Sequence, residues 1–128
     1  MVLSAYEVQL LAEPILSQST VQHFRDRYGK RFVRALKLVE EGRVIRYHFS
    51  PSGSVTWIVR GRAREYLTVP DLYCSCRSFY QSVVIKNEFD MCYHMLAQKI
   101  AEIRKAYLSA ESTDSERRRL FVMWRRTD

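Results

Sequence analysis

Apolar residues keep helical spacing over the first forty positions and then switch to alternation. Leu3, Tyr6, Leu10 and Leu11 share one helical face, and Pro14 interrupts the stretch, which predicts a short helix within 3–16. Ser19 with Gln22 three residues later has the form of a capping box. Phe24, Tyr28, Phe32, Leu36 and Val39 then recur at four- and three-residue steps, so 19–41 is expected to be helical, bent near Gly29 and stopped at Gly42. Arg25, Arg27, Lys30, Arg31, Arg34 and Lys37 crowd its other faces, either as a solvated surface or as contacts to phosphate.

Alternation begins at Arg43. Ile45, Tyr47 and Phe49 fall on one side of a strand, with Val44, Arg46 and His48 on the other. Ser50-Pro51-Ser52-Gly53 is turn chemistry, and Val55, Trp57 and Val59 alternate again, placing Trp57 in the core beside Tyr47. Arg60-Gly61-Arg62 makes the next turn and 65–69 a third strand. Beyond Pro70-Asp71, residues 77–85 are expected to be helical with Phe79, Val83 and Val84 inward, and 86–88 to be an exposed connection. A helix from about residue 92 to 108 carries the stripe Leu96, Ile100, Ile103 and Tyr107. Residues 109–116 are small and acidic and read as a linker, with Thr113 and Glu116 offering a second capping box. Leu120 to Trp124 is apolar between two basic clusters. It either packs back as a last helix or presents Phe121 and Trp124 to a partner, because Trp and Arg are enriched in binding hot spots.

The candidate chemistry lies in one window. All three cysteines of the chain and one of its three histidines occur as Cys74-Ser-Cys76 and Cys92-Tyr-His94. Three thiols and an imidazole in two tight pairs supply the ligands of a closed tetrahedral zinc site, which leaves no coordination position for water or substrate. Thiolate sites also admit iron, and ligand type favours zinc. Cysteines two apart are poorly placed for a disulfide with each other, and an odd count leaves one thiol over. No feature singles out one sulfur as a nucleophile. Ser75 is small enough to let backbone N–H groups approach the sulfurs. His23 and His48 have no second ligand cluster around them and read as surface histidines.

Cys-x-Cys, a spacer and Cys-x-His is the pattern of the SWIM zinc-finger family, which this chain resembles. Strands before the first pair, Phe79 just after it and a helix starting at the last ligand fit as well. Within that family the likeness is to the small SWIM-domain subunit of Shu-type recombination complexes. It is carried by 32–42 (FVRALKLVEEG), Ser50-Pro51-Ser52-Gly53 and 73–99. Arg77 and Tyr93 depart from the family, where proline and a basic residue are common, and zinc binding is expected to survive both changes. The resemblance implies a zinc-holding accessory protein of homologous recombination and DNA repair. It would dock onto a paralogue of the RecA-like recombinases and help recombinase act on single-stranded DNA.

Composition bounds these expectations. A chain of 128 residues with 47% hydrophobic and 27% charged content suits one soluble α+β domain with a modest core stapled by metal. The expected architecture is N-terminal helices, a three-stranded antiparallel meander, a zinc knuckle and a C-terminal helix. The domain covers 1–108, its zinc unit about 70–108, and 109–128 forms a linker and a basic, apolar tail. No apolar run approaches the ~20 residues of a membrane span, and no signal peptide is evident. Thiolate cysteines imply a reducing compartment, so a cytoplasmic location is expected, or a nuclear one in a eukaryote.

The formal charge is +7, and ionising three thiols around one Zn²⁺ leaves about +6, which suits a polyanionic partner. Arg46, Arg60, Arg62, Arg64, Arg77, Arg117, Arg118, Arg119, Arg125 and Arg126 are the candidate phosphate contacts if the chain itself binds nucleic acid. Tyr73, Tyr80 and Tyr93 are then available for base stacking. No glycine-rich phosphate loop or paired-carboxylate constellation occurs, so nothing supports an enzyme.

Overall fold

The computed structural model describes residues 3–77, 79–86 and 90–125. Three helices open the chain: α1 (Ala5–Ala12), α2 (Gln18–Tyr28) and α3 (Lys30–Glu40). Ser4 and Glu7 cap α1 reciprocally, each side chain bonding the other's backbone N–H at 3.1 Å. The cap of α2 is Ser17, which accepts from the Thr20 N–H at 3.2 Å, not the expected Ser19. Capping at the earlier serine adds half a turn and brings buried Thr20 into phase with Phe24 and Tyr28. Gly29 separates α2 from α3 at φ +63°, a conformation that a residue with Cβ resists.

The strands are β1 (Val44–Ser50), β2 (Ser54–Arg60), β3 (Glu65–Val69), β4 (Tyr73–Cys74) and β5 (Leu108–Thr113). They form one sheet of five in the order β4-β3-β2-β1-β5. The expected antiparallel meander is present, with β4 added at one edge. The other edge corrects the sequence reading: 108–113 is no linker but pairs in parallel with β1, Ile45 opposite Leu108 and Ser50 opposite Thr113. Its polar composition suits an edge strand, whose side chains stay largely in water while the backbone completes the ladder.

Helices cover both faces of the sheet. On one face Val44, Trp57, Val59 and Cys74 join Phe24, Phe32, Leu96 and Ile100 in the main core. The central element there is α4 (Tyr93–Arg104), in which 94–101 are buried without a break. Packing on several sides therefore replaces the single stripe expected for this helix. It also ends earlier than expected, at Lys105 with φ +56°, and Tyr107 leaves the helix to meet Trp57 edge-on at 4.9 Å. Arg104 fastens the helix to the N-terminal section, donating to the carbonyls of Leu11, Glu13 and Pro14.

On the opposite face Phe49, Ile58 and Leu67 meet Trp124 of α5 (Asp114–Trp124), with Tyr47, Leu120 and Phe121 at the margin. Trp57 and Tyr47 therefore lie on opposite faces, against expectation. Both faces of this sheet are buried, so alternation alone could not tell which set meets which core.

Residues 79–85 (Phe79–Ile85) form a π-helical segment. Phe79 is buried as expected, but Val84 is exposed, because the wider turn shifts the phase of an ordinary helix. Asn87 and Glu88 of the expected connection lie outside the described residues.

Candidate metal centre

Residues 74–76 turn at the edge of the sheet. Ser75 is fully buried there: its N–H donates to the Leu67 carbonyl and its Oγ accepts from the Leu67 N–H, both at 3.0 Å. This two-way clamp fixes the knuckle against β3 and aims Cys74 and Cys76 at the helical face. Cys76 Sγ accepts the Phe79 N–H at 3.2 Å, the kind of backbone contact the small Ser75 was expected to permit. From the other side, Cys92 caps α4 and His94 is the second residue of that helix. Lys99, also on α4 and nearly buried, bonds Asp71 at 3.0 Å and holds the turn before the knuckle.

Cys74, Cys76, Cys92 and His94 are all buried, and their ligand atoms lie within 4.8 Å of one another. Donors ~2.0–2.3 Å from a central zinc sit about 3.5–3.8 Å apart, so small adjustments complete the tetrahedron. The donor chemistry fits too: three free thiols surround an imidazole whose Nδ1 is buried without a hydrogen-bond partner. Without a cation these groups share protons unevenly. Hydrogen bonds from Cys74, Cys92 and His94 draw the Cys76 thiol far below its usual range. Hydrogen bonding to Cys76 and Cys92, together with burial, drives Cys74 up, and burial above all pushes Cys92 up to about 12. Without a cation Cys74 and Cys92 are thus held towards the protonated form, and a divalent cation favours the thiolate of all three.

Aromatic rings hold the imidazole in place. His94 lies between Tyr66 at 4.3 Å and Tyr93 at 4.1 Å, tilted by 32° and 34°. Arg64 caps Tyr66 at 5.2 Å and Arg34 caps Tyr93 at 5.8 Å, so one stack runs from guanidinium to guanidinium through the metal ligand. Adjacency to His94 marked Tyr93 in the sequence. Tyr66 and Arg34 carried no such signal.

The arginines singled out from the sequence do not converge on one patch. Arg60 is ion-paired with Glu65 at 2.9 Å, and Arg119 with Glu116 at 2.6 Å. Arg117 lies over Phe121 at 4.4 Å, and Arg125 donates to the Phe121 carbonyl at 3.3 Å. Arg118 and Arg77 are exposed, and Arg46 is half-buried on β1. Arg126 lies outside the described residues. Trp124 is completely buried, its Nε1 donating to Glu65 at 3.0 Å, so the alternative of a partner anchor at Trp124 and half-buried Phe121 gives way to packing back. Phe49, Ile58, Leu67, Tyr47 and Tyr73 of the second core supply the apolar surface that this helix needs. His48 pairs with Glu111 and His23 with Glu7, both away from the cysteines.

Of the arginines expected to form a patch around the β2–β3 turn, Arg60 and Arg62 share one surface. Both line an open cleft of about 510 Å³ with Arg34, Lys37, Arg43, Tyr93 and His94, beside the metal cluster.

Fold and site together define a small α+β domain built around a closed, structural Cys₃His zinc centre. No protein-family model matches the chain. It is 29% identical over 103 residues to the zinc finger SWIM domain-containing protein 7 homolog of Dictyostelium discoideum. That alignment covers 79% of this chain and 66% of the relative. The likeness to a SWIM zinc-finger protein expected from the two ligand pairs is thus found in both sequence and site, and zinc is the metal the centre takes. Among the described residues no helix is long and apolar enough to cross a membrane.

Proposed function

We propose that this chain is a non-enzymatic, zinc-stabilised accessory subunit of homologous recombination and DNA repair. It docks onto a paralogue of the RecA-like recombinases and helps recombinase act on single-stranded DNA, in the cytoplasm or, in a eukaryote, the nucleus. The observation carrying this reading is the closed, buried Cys₃His centre in a chain similar to a SWIM zinc-finger protein. Four protein ligands leave the metal no open position, so it organises a surface and does not activate a substrate. Leu72, Tyr80, Val84 and Ile85 are exposed apolar side chains near the zinc knuckle, and they suit a protein contact better than buried Trp124 does.

Co-expression with each RecA-like paralogue of the same genome tests this reading. A stable complex by light scattering, and longer-lived recombinase filaments on single-stranded DNA, are expected, with both lost on Cys92→Ser. A chain that associates with none of them and leaves filament lifetimes unchanged would overturn it.

A further inference from the structure

The cleft beside His94 is built from three separate stretches of chain. Arg34, Lys37 and Leu38 come from α3, Glu41 and Arg43 from the connection to β1, Arg60 to Arg62 from the β2–β3 turn, and Tyr93 and His94 from the start of α4. Its cations differ in what they already do. Arg43 is paired with Glu41 at 3.0 Å and also reaches the Gly61 carbonyl, and Arg60 is paired with Glu65 at 2.9 Å. Arg34, Lys37 and Arg62 are exposed and have no carboxylate partner among the described residues. Three uncompensated positive charges thus ring one concave surface, with an aromatic ring in its wall.

We propose that this cleft binds a single-stranded nucleic acid: Arg34, Lys37 and Arg62 hold successive phosphates, and the Arg34–Tyr93 pair offers a stacking platform to an unpaired base. Guanidinium forks match phosphate oxygens two at a time, and a lysine adds a point charge. A positively charged groove with aromatic and guanidinium planes is how proteins hold single strands without reading sequence. Three charges, two on α3 and one on the β2–β3 turn, span more than one small anion, which favours a chain of phosphates. A duplex presents a convex phosphate ridge with its bases stacked away, so it has no use for the Tyr93 wall. The start of α4 opens into the same cleft, and its backbone dipole adds to the positive field. Tyr93 also backs His94, so the zinc centre holds the wall of the cleft in place.

The biological meaning of this site rests on the accessory role proposed above, but binding itself does not. The test is fluorescence anisotropy of a labelled oligothymidylate titrated with the zinc-loaded full chain between about 50 and 200 mM salt. Saturable binding that weakens with salt is expected. The triple variant Arg34→Ala/Lys37→Ala/Arg62→Ala should keep its zinc and its circular dichroism, bind about tenfold or more weakly, and lose about 2 from the salt slope. Arg118→Ala/Arg125→Ala, on the α5 side, should bind like the parent. The proposal is overturned if the parent fails to bind, if the triple variant binds equally well, or if both variants lose affinity alike. Equal competition by unlabelled duplex would overturn the single-strand assignment. The triple variant should still join the recombinase paralogue. Oligonucleotide binding by a chain that joins no paralogue would leave the cleft standing and remove the docking reading.

Discussion

Glu7 carries more than its helix cap. Its buried carboxylate accepts from the Ser4 N–H, from His23 at 3.0 Å and from Arg27, which reaches on to Asp90 at 2.6 Å. Burial alone would raise its pKa, but the bonds from Arg27, Ser4 and His23 outweigh burial and bring it from 4.5 down to about 2. A carboxylate depressed on folding contributes stability that is complete above its unfolded pKa and is lost as pH falls through the folded one. Glu7→Gln is therefore expected to cost at most about 3 kcal/mol at neutral pH. The gap between parent and variant should close as pH falls from 4.5 towards 2. Urea unfolding of the two proteins across that range measures the gap, and a constant difference would show that the carboxylate's charge is not what matters.

At the scale of elements, β5 and α5 show how a polar stretch and an apolar one each find cover. Thr113 ends the strand and caps the helix, accepting the Glu116 N–H at 3.2 Å, so the chain reverses onto the second face without a loop. Trp124→Ala empties the centre of that core and leaves Glu65 Oε1 without its donor. The expected loss is about 3–5 kcal/mol, read from the urea midpoint, with Trp124→Phe falling between. The β2–β3 turn is tuned to the metal site. A Cβ at Gly61 would stand 2.6 Å from Tyr66 Cε2 and 3.2 Å from the Arg64 carbonyl. Because Tyr66 backs His94, Gly61→Ala should both destabilise the fold by about 1–3 kcal/mol and speed zinc loss to a chelator. Unchanged zinc release would sever the turn from the site.

Over the whole molecule the metal joins the sheet edge to the central helix. Cys74 ends β4 and Cys76 follows it, Cys92 and His94 open α4, and α4 packs against α1, α3 and the sheet. Zinc removal by a chelator is expected to abolish near-ultraviolet circular dichroism, because the main core converges on this helix and metal binding is coupled to folding. Uptake of the metal ionises thiols that are otherwise protonated, Cys74 and Cys92 in particular, so it releases protons. Retention should therefore weaken as pH falls, with the released zinc followed by a colorimetric chelator. A metal-free chain that kept its native spectrum would make the centre dispensable for folding.

The four ligands, the helical stripe of α2 and α3 and the antiparallel strands could all be read along the chain. Ligand pairs two residues apart, repeats of three and four, and alternation are properties of neighbouring residues, and local geometry settles them. The capping serine of α2 slipped by two positions because Ser17, Ser19 and Thr20 compete within one turn. What the sequence could not decide were contacts across long separations. The pairing of 45–50 with 108–113, the assignment of Trp57 and Tyr47 to opposite faces, and the burial of Trp124 depend on which surfaces meet after collapse. So does the cleft, whose three cations without a carboxylate partner among the described residues lie on α3 and the β2–β3 turn and whose aromatic wall opens α4. Charge is a property of residues, but its concentration at one place is a property of packing.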